Sequence, residues 1–109
     1  MSAGNTTMLV LKLLEAKDMY GYQIIEELSQ KSEAVFQLKT GTLYPILHGL
    51  EKDSAVTSYD QNADGRVRRY YQLTRKGKGL LVQKETEWTA YTTAVDRIMG
   101  NGGAAHAFA

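Results

Sequence analysis

Apolar residues recur in this chain at helical spacing in four stretches and in strand-like alternation in two more. In the first stretch Met8, Leu9, Val10, Leu11, Leu13 and Leu14 surround most of a helix running to about Ala16, with Thr6 or Thr7 placed to cap it. So apolar a helix must be covered on more than one side. A short chain has little to cover both, so one face is expected on its own domain and another on a partner chain. Asp18 to Gly21 interrupts the pattern. A second helix follows from about Tyr20 to Ser32, with Ile24, Ile25 and Leu28 at core spacing and Glu26, Glu27 and Gln30 facing out.

Leu43, Ile46, Leu47 and Leu50 stand at i, i+3, i+4 and i+7 and predict a third helix over about 41–53. Its opposite face carries Thr40, Thr42, Tyr44, His48 and Glu51. If Thr42 is the N-cap, Pro45 falls in the first turn, where its missing N–H would be unpaired anyway; if Thr40 caps, one helical bond is lost. Gly49 inside the helix costs about 1 kcal/mol against alanine.

Val56 to Tyr59 and Val67 to Leu73 alternate like half-buried strands, and the polar run Asp60 to Gly65 reads as the hairpin tip between them. On the second strand Val67, Arg69, Tyr71 and Leu73 share one face, with Tyr71 and Leu73 expected inward, while Arg66, Arg68, Tyr70 and Gln72 share the other. Thr74 can cap a last helix reaching about Met99. There Leu81, Trp88 and Val95 are spaced by sevens and joined by Tyr91, Ile98 and Met99, the outline of a dimer seam to which Met8 and Leu11 are expected to contribute. Residues 100–109, GNGGAAHAFA, are expected to form a flexible tail.

The predicted fold is mainly α with a small antiparallel β-wing (α+β). It divides into a winged helix-turn-helix over 6–73, a C-terminal dimerisation helix over 74–99, and the tail.

Composition narrows the function. At 109 residues and 43% hydrophobic content, one small domain is expected. The absence of cysteine removes disulfides, thiolate nucleophiles and cysteine metal sites, and suits a cytoplasmic protein. With only His48 and His106 and no paired carboxylates positioned beside a Ser or His, no metal site, cofactor or enzyme activity is expected. His48 reads as an ordinary surface histidine. Gly77 and Gly79 lack the spacing of a phosphate loop. No apolar run is long enough for a membrane span, so no membrane partner is expected.

The net charge of +1 conceals a strong asymmetry. Residues 65–84 hold seven basic and no acidic side chains, whereas residues 1–64 hold five basic and nine acidic ones. Arg66, Arg68, Arg69, Arg75, Lys76, Lys78 and Lys84 are laid out like a phosphate-binding edge. Arg75, Lys76 and Lys78 would also oppose the dipole at a helix start, which an anionic ligand explains better than stability does. Short polar side chains on a helix in the major groove, with arginines on a flanking hairpin, would read double-stranded DNA. The alternative is a winged-helix protein-interaction module without specific DNA binding.

The strings YGYQIIEEL at 20–28, LKTGTLYPILHGLEKD at 38–53 and GRVRRYYQLTRKGK at 65–78 resemble the PadR family of bacterial transcriptional regulators, over about Met8 to Met99. The resemblance implies a homodimeric repressor that binds a pseudo-palindromic operator, is released by a small ligand, and exchanges its last helix across the dimer. It implies recognition-helix roles for Lys39, Thr40, Thr42 and Tyr44, and wing roles for Gly65, Arg66, Arg68 and Arg69; the charge run itself makes Lys76 and Lys78 candidate phosphate contacts. Trp88 matches a tryptophan that stacks planar ligands between subunits in a drug-sensing branch. With Tyr91 it leaves phenolic compounds, hydrophobic drugs or no ligand at all open, because the same rings also suffice for packing. The chain departs from the family where it has Ser54 in place of a usual glycine and Ala55 in place of a larger aliphatic residue. A left-handed Ser54 would cost about 1 kcal/mol relative to glycine.

Overall fold

The computed structural model describes residues 3–100. Its elements run α1 (Ala3–Ala16), β1 (Met19–Tyr20), α2 (Gly21–Lys31), α3 (Thr40–Lys52), β2 (Val56–Ala63), β3 (Arg66–Leu73) and α4 (Arg75–Met99). The winged-helix order holds, with three differences at the edges of elements. α1 begins before Thr6, which is buried inside the helix instead of capping it. Two residues, Met19 and Tyr20, pair antiparallel with Tyr71 and Tyr70, so the sheet has three strands in the order β1-β3-β2. The hairpin tip is shorter than expected: β2 and β3 stay paired out to Ala63 and Arg66. Only Asp64 and Gly65 turn, both at positive φ of 53° and 77°, the type I′ geometry that an Asp-Gly pair favours.

α1 is the central helix of its own domain. Val10 and Leu11 are fully buried and Met8, Leu13 and Leu14 nearly so, covered by α2, β3 and α4 of the same chain. The expected need for a partner over this helix is therefore corrected. α2 contributes Ile24 and Leu28, α3 Leu43, Leu47 and Leu50, the sheet Val56, Tyr71 and Leu73, and α4 Leu81. Ile46 is only half-buried at the core margin.

α3 starts one turn before the point where Pro45 would be harmless. Lys39 stands at the N-cap without a side-chain bond, and its carbonyl accepts from Thr42 and Leu43. Pro45 is thus inside the helix, and the carbonyl of Gly41 loses its i+4 donor. At the other end, Ser54 N–H donates to Glu51 and Ala55 N–H to Leu50, a Schellman closure that puts Ser54 at φ 63°. The conditional strain at Ser54 is real. Ser54→Gly should stabilise the fold by about 1 kcal/mol, and Gly49→Ala by a similar amount, because a methyl at Gly49 meets nothing within 4 Å. Urea melts should show both midpoints raised; an unchanged midpoint for either would contradict its local geometry.

Thr74 joins the two ends of the wing to α4. Its Oγ1 accepts from Gly77 N–H at 3.0 Å and lies 2.7 and 2.9 Å from the carbonyls of Ser54 and Ala55, while its own N–H donates to Ala55. The cap expected from sequence is therefore also a staple between the end of α3 and the start of α4.

α4 outgrows the domain. The molecule measures 53 × 28 × 23 Å with a radius of gyration of 15.7 Å, against about 13 Å for a globule of this length. Lys12 reaches Glu85 at 3.8 Å, and further along α4 Tyr91, Val95, Ile98 and Met99 are exposed. No helix among the described residues is long and apolar enough to cross a membrane. The tail expected at 101–109 lies outside the described residues.

Candidate nucleic-acid interface

Two elements present the candidate residues on one side of the domain. The first is the N-terminal turn of α3, where Lys39, Gly41 and Thr42 are exposed while Thr40 and Tyr44 are half-buried. The second is β3, whose Arg66 and Arg68 share the outer sheet face. Between Tyr44 and the wing lies a cleft of about 200 Å³ lined by Tyr20, Gly21, Tyr44, Arg66, Arg68 and Arg69 among others. Gly65 makes the turn at the tip, where its positive φ and open surroundings suit glycine.

Tyr44 is fixed by its neighbours. Its hydroxyl and ring lie so close to Gly21 that any Cβ there would collide with them, and its ring is tilted against His48 with centroids 6.3 Å apart. Tyr44 therefore packs against the start of α2 while also lining the cleft. Thr42 is exposed.

The outer face of the sheet carries a row of aromatic rings, one from each strand. Tyr20 meets Tyr70 edge-on at 5.4 Å, and Tyr59 stacks on Tyr70 at 5.7 Å. Arg68 stands over the Tyr20 ring, its guanidinium carbon 4.3 Å from the centroid. At the far end Tyr59 Oη donates to Asp18 Oδ2 at 2.6 Å. That bond, helped by desolvation, pushes the Tyr59 pKa up to about 12. A raised folded-state pKa means that the stabilisation is full below the unfolded value near 10 and disappears as pH rises through about 12. Ultraviolet titration should therefore show a tyrosinate step near 12 that Tyr59→Phe deletes and Asp18→Ala returns towards 10. A step unmoved by Asp18→Ala would contradict the bond.

The basic residues divide into two groups. Arg69 lines the same cleft as Arg66 and Arg68, although it points to the inner face, 3.8 Å from Asp60. Burial raises the pKa of its facemate Tyr71, with Arg69 pulling the other way. Lys76 lies beside Asp53, Leu80 and Gln83. Since Thr74 is stapled to Ser54, the start of α4, with Lys76 and Lys78, is at the opposite end of α3 from Thr42. A helix of 13 residues puts about 18 Å between those ends. The expected continuity of Lys76 and Lys78 with the wing is corrected accordingly; chain proximity had stood in for spatial proximity.

The expected seam also divides. Leu11 and Leu81 are fully buried within one chain and have no surface to offer a partner, and Met8 is 8% exposed. Trp88, Tyr91 and Val95 continue the same stripe outward and are exposed, as are Ile98 and Met99. Trp88 and Tyr91 stack at 5.8 Å and, with Gly4, Asn5, Met8 and Lys84, line an open groove of about 420 Å³. Sequence reasoning missed Tyr20, Gly21 and the Asp18–Tyr59 pair. A strand of two residues leaves no alternation to detect, although a glycine between two tyrosines hinted at close ring contact.

Among the described residues no group of three or more His, Asp or Glu side chains is placed to hold a metal. The family described as "Transcriptional regulator PadR-like family" matches residues 10–83. An uncharacterised protein of Lysinibacillus sphaericus is 35% identical over 97 residues, 88% of this chain and 89% of that one. Two solved structures are similar over most of the chain. A transcriptional regulator from Clostridium thermocellum has a TM-score of 0.80 at 30% identity, over 86% of this chain and 92% of that one. A PadR family transcription regulator from Clostridium difficile R20291 has a TM-score of 0.73 at 34% identity, over 85% and 96%.

Proposed function

Because this chain belongs to the PadR-like family of transcriptional regulators, we propose that it is a homodimeric repressor that binds double-stranded DNA at a pseudo-palindromic operator. The family is one of regulators, not enzymes. The observation that supports the reading is the cleft in which Tyr44 of α3 meets Arg66, Arg68 and Arg69 of the wing. Lys39, Thr40 and Thr42 would enter the major groove, with Tyr44 bracing the helix and its edge at the phosphates. Gly65 lets the wing turn tightly, and Arg66 and Arg68 would hold the adjacent backbone or minor groove, with Arg69 secondary because of Asp60. Lys76 and Lys78 would meet phosphates only where the duplex bends round the domain.

The functional division follows at Thr74: a DNA-binding part before it and a dimerisation helix after it. One stripe of α4 starts at Leu81 in the core and runs uncovered through Trp88, Tyr91, Val95 and Ile98. A second copy of the same stripe supplies the cover that α1 is too short to give. The Trp88–Tyr91 groove is the place for a planar hydrophobic or phenolic effector, and the setting is the cytoplasm.

Hydroxyl-radical footprinting of the promoter upstream of the protein's own gene tests the dimer and the DNA together. Two protected half-sites one or two helical turns apart, about 10 bp per turn, are expected. A single protected half-site would contradict the dimer, and no protection would favour a protein-interaction module.

A further inference from the structure

We propose that Tyr20 is the positioning residue for Arg68, so that the wing presents a guanidinium already ordered before DNA arrives. The proposal rests on the DNA-binding reading and extends it to a residue on neither the recognition helix nor the wing. Arg68 is half-buried over the Tyr20 ring and, unlike Arg69, has no acidic partner among the described residues. Stacking engages the flat face of a guanidinium and leaves its in-plane N–H donors free for phosphate or base edges. An acidic partner would have competed for those donors. A long side chain docked in this way also loses less rotamer freedom on binding than one waving in solvent.

A second observation concerns what Tyr20 does not do. It occupies the N-cap of α2 in extended conformation, where serine, threonine, asparagine or aspartate would bond the helix start, and it makes no side-chain cap bond. Its ring instead packs edge-on against Tyr70, which Tyr59 stacks from the other side and which Asp18 anchors through the Tyr59 hydroxyl. β1, though only two residues long, is hydrogen-bonded to β3 and holds the ring beside the arginine's strand. The aromatic row is thus a rigid support that ends in one cation.

The test uses the whole protein. In the free protein, NMR should find the Arg68 δ-methylene protons shifted upfield by the ring, retained in Tyr20→Phe and lost in Tyr20→Leu. With a labelled duplex covering the promoter upstream of the protein's own gene, Tyr20→Leu should weaken binding about threefold to tenfold, and Tyr20→Phe should match the parent. In the Arg68→Ala background the same Tyr20→Leu change should have no further effect. Full additivity, an unshifted Arg68, or a loss in Tyr20→Phe equal to that in Tyr20→Leu would overturn the positioning role; the last would make the hydroxyl a direct contact. A parent that binds no duplex yet keeps the ring-current signature would overturn the DNA-binding reading instead, so the two failures read differently.

Discussion

Gly77→Ala is expected to destabilise the protein by about 3 kcal/mol or more, a large part of the roughly 5–15 kcal/mol available to a domain. Gly77 is buried in the first turn of α4, where an added Cβ would collide with the Ala55 carbonyl oxygen and lie 2.6 Å from Leu73 Cδ1. The methyl of Leu73 could rotate away, but the carbonyl could not. It is fixed by Thr74, which donates to it from the backbone at 3.0 Å and whose Oγ1 lies 2.9 Å away. Gly79→Ala is the internal control, two residues further along the same helix. Its Cβ would meet nothing within 4 Å, so it should be neutral or stabilise by up to about 1 kcal/mol. Urea denaturation of the two variants isolates the close approach from helix propensity. Similar midpoints would mean that α4 does not dock against the α3–β2 turn as described.

The second large effect concerns binding. Replacing Arg66 and Arg68 together by alanine should weaken duplex affinity at low salt about tenfold to a hundredfold. It should also reduce the slope of log affinity against log salt by about 2, near 0.9 for each phosphate that is no longer neutralised. The sign follows from counterion release: fewer neutralised phosphates release fewer ions, so salt competes less. Lys76→Ala with Lys78→Ala removes the same formal charge from the other end of α3 and should change both quantities much less. Thr42 should behave differently again, altering which sequence is preferred by about 1–3 kcal/mol if it reaches a base edge. If the arginine and lysine pairs gave equal losses, the charge run would act as a diffuse field and not through the wing.

Much of this architecture is legible in the sequence because its helices announce themselves. Leu43, Leu47 and Leu50 are buried as their spacing requires, and Thr74 caps α4 as its place before the apolar stripe implies. Patterns could not say which chain covers an apolar residue. Leu81 and Trp88 look equivalent at a spacing of seven, yet Leu81 is fully buried and Trp88 is 40% exposed. Nor could chain order reveal that Lys76 and Arg66, ten residues apart, stand at opposite ends of the wing. Boundaries failed where tertiary contacts outweighed local preference: Thr6 is buried inside α1 instead of capping it, and β1 pairs with the edge that β3 offers. The Arg68–Tyr20 stack escaped for the same reason, being a contact between elements with no periodicity of its own.

Fluorescence anisotropy of a labelled duplex covering the promoter upstream of the protein's own gene, beside a scrambled duplex and at two salt concentrations, tests DNA reading most directly. Tighter binding to the promoter, falling steeply with salt, is the predicted result. Weak and equal binding to both duplexes would contradict it and leave a winged helix whose basic strand serves some other partner.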